Sequence, residues 1–418
     1  MTTPAQNVDG WALARTMLIA GSLIIAISLG IRHSFGLFLQ PISMEAGWGR
    51  EVFALAIAVQ NLVWGIAQPF TGMLSDRFGA GKVILGGAAL YTAGLVAMAI
   101  PQDPTVFVLS TGLLIGLGLS ATSFPIVFGA ISRAMPADKR SHAMGIAMSI
   151  GSFGQFAILP IALGMIDGMG WVVTMLIFSA ISCLILPLSL PLMERGAAKA
   201  SSAPGATAAA VDTRTPGEAF GEAMRSRDFW LLSTGFFVCG FHVIFIATHL
   251  PAFLADEGMQ PSVASIVLAL IGLANIAGTY YAGLWGGQRS KPMLLSWIYL
   301  GRAIAIALFI LLPITPWTAY AFGVLMGLFW LSTVPLTNGI VAAIFGVKNM
   351  AMLGGLVFLA HQVGSFLGGW LGGYLYDQTG SYNMVWWIAI LLGLLAAAIN
   401  LPIREKPIEE IRAAKVTP

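Results

Sequence analysis

Charge is the scarcest ingredient of this chain. Of its 418 residues only 9% are charged, where a soluble domain carries about a quarter. Such a chain cannot cover itself with water-compatible surface. Cysteine is nearly absent as well. Cys183 and Cys239 are the two present, both sit within apolar runs, and no CxxC or Cys/His cluster accompanies them. That excludes a disulfide-stapled scaffold and a cysteine-based metal site, and reads both as reduced packing residues. No GxxxxGK[ST], HExxH or GxSxG stretch occurs and no soluble signalling domain is attached. An ATP-driven pump, a membrane-embedded enzyme and a non-transporting sensor are all disfavoured on that ground. The opening stretch MTTPAQNVDGWALARTM lacks the cationic n-region and cleavage site of a secretory signal, so the first helix is expected to be retained. One further absence bears on mechanism: no acidic residue lies in the middle of any apolar run.

What is present is hydrophobic. Apolar residues make up 57% of the chain, glycine contributes 49 positions and the mean hydropathy is +0.85. Runs of about 20 apolar residues recur, the length that crosses ~30 Å of hydrocarbon. Splitting at charges, prolines and turn residues gives twelve spans: 14–40, 51–75, 82–100, 104–133, 141–165, 170–193, 228–254, 262–286, 292–313, 317–345, 349–376 and 382–403. In a bilayer every backbone group must be paired within its own segment, so spans this long predict helices. The expected class is an all-α membrane protein with twelve transmembrane helices. Lys and Arg concentrate in the loops of one side, with Arg77, Lys82, Arg133, Arg140 and Lys348 among them. The opposite loops carry mainly acids, such as Glu45, Asp103, Asp167 and Asp256, and one base, Arg50. By the positive-inside rule the basic side, with both termini, is cytoplasmic.

The segment ERGAAKASSAPGATAAAVDTRTPGEAFGEAMRSRD between spans six and seven is small, polar and rich in Pro and Gly, which reads as a linker. Within it, Thr215, Pro216 and Glu218 form the pattern of a capped helix start. The flanking halves echo each other. FLQPI at Pro41 recurs as HLPAF at Pro251, and SFPIVFGAI at Pro125 recurs as TVPLTNGIV at Pro335, both at an offset of 210. GMLSDRFGAGK at Gly72 recurs in weaker form as GLWGGQRSKPM at Gly283, and IGSFGQF recurs as VGSFLGG. A duplication follows: an N-terminal six-helix bundle over 1–193, a cytoplasmic linker over 194–227 and a C-terminal bundle over 228–418. Parallel repeats of this kind place a binding site between the halves near the midplane.

GMLSDRFGAGK, between spans two and three, resembles the signature of the major facilitator superfamily, and the resemblance covers all 418 residues. That signature has a base directly after its second glycine; here Ala80 and Gly81 intervene before Lys82. The resemblance implies a cytoplasmic charge cluster built from Gly72, Asp76, Arg77, Lys82 and Arg133, with Gly283 as the echo in the second half. It also implies alternating access by rocking of the halves, no cofactor, and a monomer in the lipid bilayer of a bacterial inner membrane.

The ionisable residues inside the spans are all cationic or able to become so. Arg302 lies ten residues past Pro292, about 15 Å along a helix and so near mid-membrane, where an Arg costs about 2.5–3.5 kcal/mol. Two readings stand: a guanidinium satisfied by backbone carbonyls, or a clamp for a substrate carboxylate. Arg32 and His33 precede Pro41 by about two turns. His242 is the repeat partner of Arg32, and His361 with Gln362 falls near mid-membrane. Asn61, Gln155, Asn275, Tyr280 and Asn338 are neutral polar helpers at similar depth. This set points to an anionic cargo and away from lipophilic cations. With no intramembrane carboxylate, proton coupling would have to use a histidine or the cargo's own carboxylate; anion exchange would need neither.

Within the superfamily the chain looks most like the oxalate/formate antiporter and monocarboxylate transporter group. GEAMRSRDFWLL resembles that group's entry to its second half, and Asp9-Gly10-Trp11 is a shortened echo of the monocarboxylate carriers' start. The resemblance puts His361 where the oxalate carriers have a substrate-binding lysine, and His33 near the functional lysine of the monocarboxylate carriers. The group's helix-eight arginine would fall near Thr279, which is not basic. The expected function is secondary transport of small organic anions, chiefly monocarboxylates, by proton symport or anion exchange. The alternative is efflux of drugs or other amphipathic compounds. Neither nucleic acid nor a metal is an expected partner.

Overall fold

A computed structural model describes residues 4–47, 50–100, 103–193 and 214–410. The side chains of Asp9 and Trp11 and most of the linker, 194–213, lie outside the described residues. Among those described, the regular structure is entirely helical. Eleven helices are long and apolar enough to cross a membrane, and the remaining expected span, 51–75, is the 29-residue helix Arg50–Phe78. In chain order the spans are α1 (Pro4–His33, continued by Ser34–Phe38 and Leu39–Ala46), α2 (Arg50–Phe78), α3 (Ala80–Met98), α4 (Pro104–Ala134), α5 (Arg140–Met169), α6 (Trp171–Leu192), α7 (Arg227–Asp256), α8 (Pro261–Gly286), α9 (Lys291–Leu311), α10 (Pro316–Phe345), α11 (Met350–Thr379) and α12 (Asn383–Asn400). A linker helix, Pro216–Met224, precedes α7. It starts on the expected capping box, in which Thr215 and Glu218 bond each other's backbone amides.

Two spans break at corresponding places in the halves. In α4 the helix stops at Thr122, Ser123 is extended, and Phe124–Ala134 begins anew. Pro125 explains the stop, because it lacks the amide proton that would bond the carbonyl of Ala121, four residues back, and its ring crowds that carbonyl. In α10 the first part ends at Phe329 and the second starts at Thr333, shortly before Pro335. A break exposes backbone carbonyls and amides that hydrocarbon cannot satisfy. How each break is satisfied decides the roles of several polar residues below.

Close packing rests on small residues, as it must where lipid and side chains are equally apolar. Within the second half, Gly364 and Gly368 of α11 lie directly on the carbonyls of Phe237 and Phe241 of α7, and Gly372 lies against the His249 ring. The halves meet chiefly along two helix pairs, α2 with α11 and α5 with α8, with α4 against α11 and α5 against α10 beside them. A side chain at Gly72 would collide with the Ala351 backbone, and Gly145 of α5 meets Gly283 of α8 backbone to backbone. On the outer faces large apolar side chains stand exposed, for example Leu62, Ile66, Phe70 and Leu74 along one stripe of α2. A surface of this kind requires lipid.

Candidate functional site

Arg32 sits in the last turn of α1, half-buried, where the helix gives way to the tighter turn at Ser34. Its Nη2 donates to Asn61 Oδ1 on α2 at 3.0 Å, and its Nε is buried with no hydrogen-bond partner among the described residues. The guanidinium also lies 5.8 Å from the Phe35 ring centre. The backbone carbonyl of the same Asn61 accepts from Gln362 Nε2 on α11 at 3.2 Å. Gln362 Oε1 in turn lies 3.4 Å from His361 Nδ1, which also faces the Ser365 hydroxyl at 3.4 Å. One polar chain therefore runs from α1 through α2 to α11, crossing from one half to the other. It brings together Arg32, Asn61, His361 and Gln362, four of the residues expected to hold substrate. Aromatic rings lie beside it. His361 stacks on Phe358 at 5.5 Å, and Phe358 packs against Trp64 and Phe124 of the first half, each at 5.1 Å.

The other expected residues lie elsewhere. His33 is exposed and bonds the Leu29 carbonyl of its own helix at 2.9 Å. His242 is fully buried and donates from Nε2 to the Ala389 carbonyl of α12 at 2.8 Å, which ties α7 to α12. Gln155 is buried on α5 and its amide nitrogen has no described partner. Asn338 donates to Val334 one turn back in its own helix, at 3.0 Å. The Tyr280 ring meets His142 of α5 edge-on at 5.7 Å.

Arg302 is completely buried, and its hydrogen-bond acceptors are two backbone carbonyls and, at 3.4 Å, the Cys239 sulfur; the Tyr299 ring lies 5.4 Å away. Nε and Nη2 donate to the Phe329 carbonyl at 3.1 and 2.7 Å, and Nη2 donates also to the Trp330 carbonyl. These are the carbonyls freed where α10 breaks. Asn275 serves the same break from the other side. Its Oδ1 accepts from the Leu331 amide at 2.9 Å, while its Nδ2 donates to Ser152 of α5 at 2.9 Å. A polar residue from α9 and one from α8 thus satisfy a break that neither could reveal by sequence alone. The break in α4 is served likewise by Gln68, which accepts from the Ser123 hydroxyl and the Trp64 indole and donates to the Ser120 carbonyl. Gln68 was not among the expected residues, although its spacing of four from Trp64 was visible.

At the signature end, Asp76 reaches across to the second half. Its carboxylate accepts from Arg133 Nη1 at 2.8 Å and from the amides of Ala351 and Met352 at 3.3 and 2.9 Å. Those amides belong to the first turn of α11, whose own cap residue, Asn349, makes no side-chain cap bond. Asp76 therefore caps a helix of the opposite half, where the positive end of the helix dipole favours a carboxylate. Arg77 and Lys82 are exposed, and Arg77 rests over the Phe78 ring at 5.1 Å. Gly79 in the same motif has φ of +94°, a conformation that glycine adopts without strain. From the linker, Arg214 donates to Glu222 and, at 2.6 Å, to the Phe345 carbonyl at the end of α10.

Comparison with known proteins agrees with this architecture. The sequence profile of the Major Facilitator Superfamily matches residues 14–328 and 254–418. The chain belongs to the major facilitator superfamily. It is 26% identical to monocarboxylate transporter 13 of Rattus norvegicus over 423 residues, covering 96% of this chain and 91% of the relative. It is 23% identical to the oxalate:formate antiporter of Oxalobacter formigenes over 403 residues, covering 94% and 93%. Among solved structures it resembles the proton:xylose symporter XylE, with a TM-score of 0.73 at 16% identity over 98% of this chain and 99% of that one. The outward conformation of FucP aligns with a TM-score of 0.70 at 15% identity, covering 92% and 97%. The protein is a multi-pass membrane transporter, and not an enzyme.

Proposed function

We propose that this transporter carries small monocarboxylates by alternating access, with the carboxylate held at Arg32 between the two halves. The observation that carries the reading is the state of Arg32. It is a half-buried guanidinium bonded to one neutral amide, with a buried Nε left over, on a polar chain that joins α1, α2 and α11. A carboxylate offers the bidentate partner this group lacks. The number of charges sets the substrate class. Arg302 donates to the carbonyls of Phe329 and Trp330, so this reading assigns the cargo to Arg32, and one guanidinium suits one carboxylate better than two. The names of the relatives, a monocarboxylate transporter and an oxalate:formate antiporter, are consistent with an organic acid.

In this reading the signature end faces the cytoplasm, and Gly72, Asp76, Arg133 and Gly283 hold that end closed, leaving the site open to the outside. Domain boundaries at 193 and 228 follow from the same picture, with the linker helix as the hinge region's cytoplasmic brace. The test is thermal stability of the purified protein against formate, acetate, lactate, pyruvate, oxalate, succinate, phenylacetate and a lipophilic cation. Wild type should be stabilised by one or more monocarboxylates, and Arg32→Gln should lose the shift. Stabilisation by cations or neutral drugs alone would turn the assignment to efflux.

A further inference from the structure

Parallel repeats should leave their register in the contact between the halves, and they do. Along α2 and α11, a Cβ at Gly72 would fall on the Ala351 carbonyl, and one at Gly355 would lie 2.8 Å from the Gln68 carbonyl. Along α8 and α5, a Cβ at Gly283 would lie 2.8 Å from the Ser141 carbonyl, and one at Gly145 would lie 3.0 Å from the Thr279 carbonyl. Gly72 and Gly283, like Gln68 and Thr279, are 211 residues apart; Ser141 and Ala351, like Gly145 and Gly355, are 210 apart. The two seams are therefore copies of one contact, small residues against backbone from the cytoplasmic end to mid-depth. There both seams turn polar. Gln362 of α11, seated on Gly65 of α2, donates from Nε2 to the Asn61 carbonyl at 3.2 Å. In the other seam Ser149 Oγ of α5 donates to the Ile276 carbonyl at 2.9 Å, and Asn275 Nδ2 donates to Ser152 Oγ at 2.9 Å. Gln362 and Ser152 are again 210 residues apart, and Gly65 and Ile276 are 211 apart.

We propose that these mid-depth hydrogen bonds are the two pivots on which the halves rock, and that the glycine contacts below them are the part that separates. What each contact meets when it breaks decides between them. At the cytoplasmic edge the bonds of Asp76 and Arg133 can be exchanged for bonds to water. The glycine contacts are dispersion contacts, small one by one, and any solvent replaces them. A donor parted from its acceptor at mid-depth has no such substitute, because hydrocarbon accepts no hydrogen bond. Asn275 and Ser152 are each only 1% exposed, so their bond is the costliest in its seam to break. Outward of this level the contact thins. A Cβ at Gly272 of α8 would still approach the Phe156 Cβ at 3.9 Å, whereas Gly164 and Gly168 further out on α5 have no neighbour within 4 Å. The pivots are wired differently. Asn61 holds Arg32 with its side chain and Gln362 with its carbonyl, so one pivot answers to the cargo site. Asn275 also accepts from the Leu331 amide, so the other pivot answers to the break in α10.

The pivots rest on the alternating access proposed above and not on which cargo is carried. The experiment uses Cys183→Ser/Cys239→Ser as background and places cysteine pairs for spin labels at three levels of the α5–α8 seam. Ala137 with Gln288 reports the cytoplasmic end, Phe153 with Leu273 mid-depth, and Asp167 with Ser262 the outer end; all six are exposed. Distances are measured in liposomes with and without Gly283→Val, which wedges the cytoplasmic contact and needs no ligand. The cytoplasmic distance should lengthen, the outer one shorten and the mid-depth one stay unchanged. A mid-depth distance that shifts as far as the cytoplasmic one, an outer distance that does not shorten, or three unchanged distances would overturn the proposal. Disulfides supply the second readout. Phe156→Cys/Gly272→Cys places two Cβ atoms 3.9 Å apart at the pivot, and Ser141→Cys/Gly286→Cys places two 3.5 Å apart at the cytoplasmic end, both within the span of a disulfide. Oxidation of the mid-depth pair should leave counterflow of a carried acid intact, while oxidation of the cytoplasmic pair should abolish it until the bond is reduced. Counterflow abolished by the mid-depth bond, or surviving the cytoplasmic one, would remove the pivots from this level. If no acid of the panel is carried, the monocarboxylate reading fails and the spin-label distances alone decide the pivots.

Discussion

The sharpest consequence of the geometry is that the two intramembrane arginines should fail in opposite ways. Arg302→Met removes the guanidinium from the Phe329 and Trp330 carbonyls at the α10 break. Each buried acceptor left without a donor costs about 1–3 kcal/mol, so two carbonyls cost roughly 2–6 kcal/mol by the same rule. Against this, the membrane no longer holds a central charge, an offset of about 2.5–3.5 kcal/mol. The net ranges from about 1.5 kcal/mol of stabilisation to about 3.5 kcal/mol of destabilisation, so Tm without ligand should shift only moderately, and downward over most of that range. The response to acid should survive, because a ligand at 100 times its Kd adds about 2.7 kcal/mol wherever its own site is intact. Arg32→Gln should do the reverse. Its half-buried guanidinium makes one bond, to a neutral amide, worth about 0.5–1.5 kcal/mol net, so ligand-free stability should change little while the acid-dependent shift disappears. Thermal unfolding of both variants with and without the acid panel decides the matter. An Arg302→Met protein of unaltered Tm that no longer responds to any acid would refute the reasoning and return the clamp to α9.

Three further outcomes are expected. Asp76→Asn loses the ionic bond to Arg133 and weakens the cap on α11, each charge-assisted bond being worth about 1.5–3 kcal/mol; spin-label distances across the signature end should lengthen, and an unchanged distribution would contradict the cross-half capping role. Gly283→Val places a branched side chain against the Gly145 backbone, so the α5–α8 seam should not close and cross-linking between helix ends there should fall several-fold, with full cross-linking counting against the packing argument. In the linker helix, the Thr215 amide and hydroxyl hold the Glu218 carboxyl below the usual carboxylate range. The capping contribution is therefore complete above the ordinary Glu range and is lost as pH falls through the lowered value. Hydrogen-exchange protection of residues 217–224, taken relative to the intrinsic rate at each pH, should fall on acidification and in Thr215→Ala, and protection that does not change with pH would show the box to be irrelevant.

Much of the architecture was legible because a bilayer leaves few options. Apolar runs of fixed length must be helices, and the twelve expected spans match twelve helices. Pro125 and Pro335 stand beside the two breaks, and Gly364, Gly368 and Gly372 recur every four residues, a spacing that by itself describes a close-packing face. The roles of polar side chains were less legible for a physical reason. In a membrane the outside of a helix is as apolar as its packed inside, so the pattern that orients a helix in a soluble protein carries little direction here. Arg302 could be placed at mid-depth from Pro292, but its partners are carbonyls of another helix, exposed by a break whose neighbours the sequence does not name. The contacts of Cys239 carried no signal, because it lies in an apolar run and Arg302 and Thr333, which it touches, are dozens of residues away. Arg32, Asn61 and Gln362 were each recognised as polar residues at depth, and their meeting is a product of the fold.

The central claim, a monocarboxylate held at Arg32, is tested most directly by counterflow in proteoliposomes preloaded with each unlabelled acid of the panel, with its radiolabelled form outside. The account predicts transient accumulation of one or more monocarboxylates, little or none of succinate, and loss of the signal in Arg32→Gln with retention in Arg302→Met. Counterflow of succinate in preference to every monocarboxylate, or an Arg32→Gln protein that accumulates label as well as wild type, would contradict it.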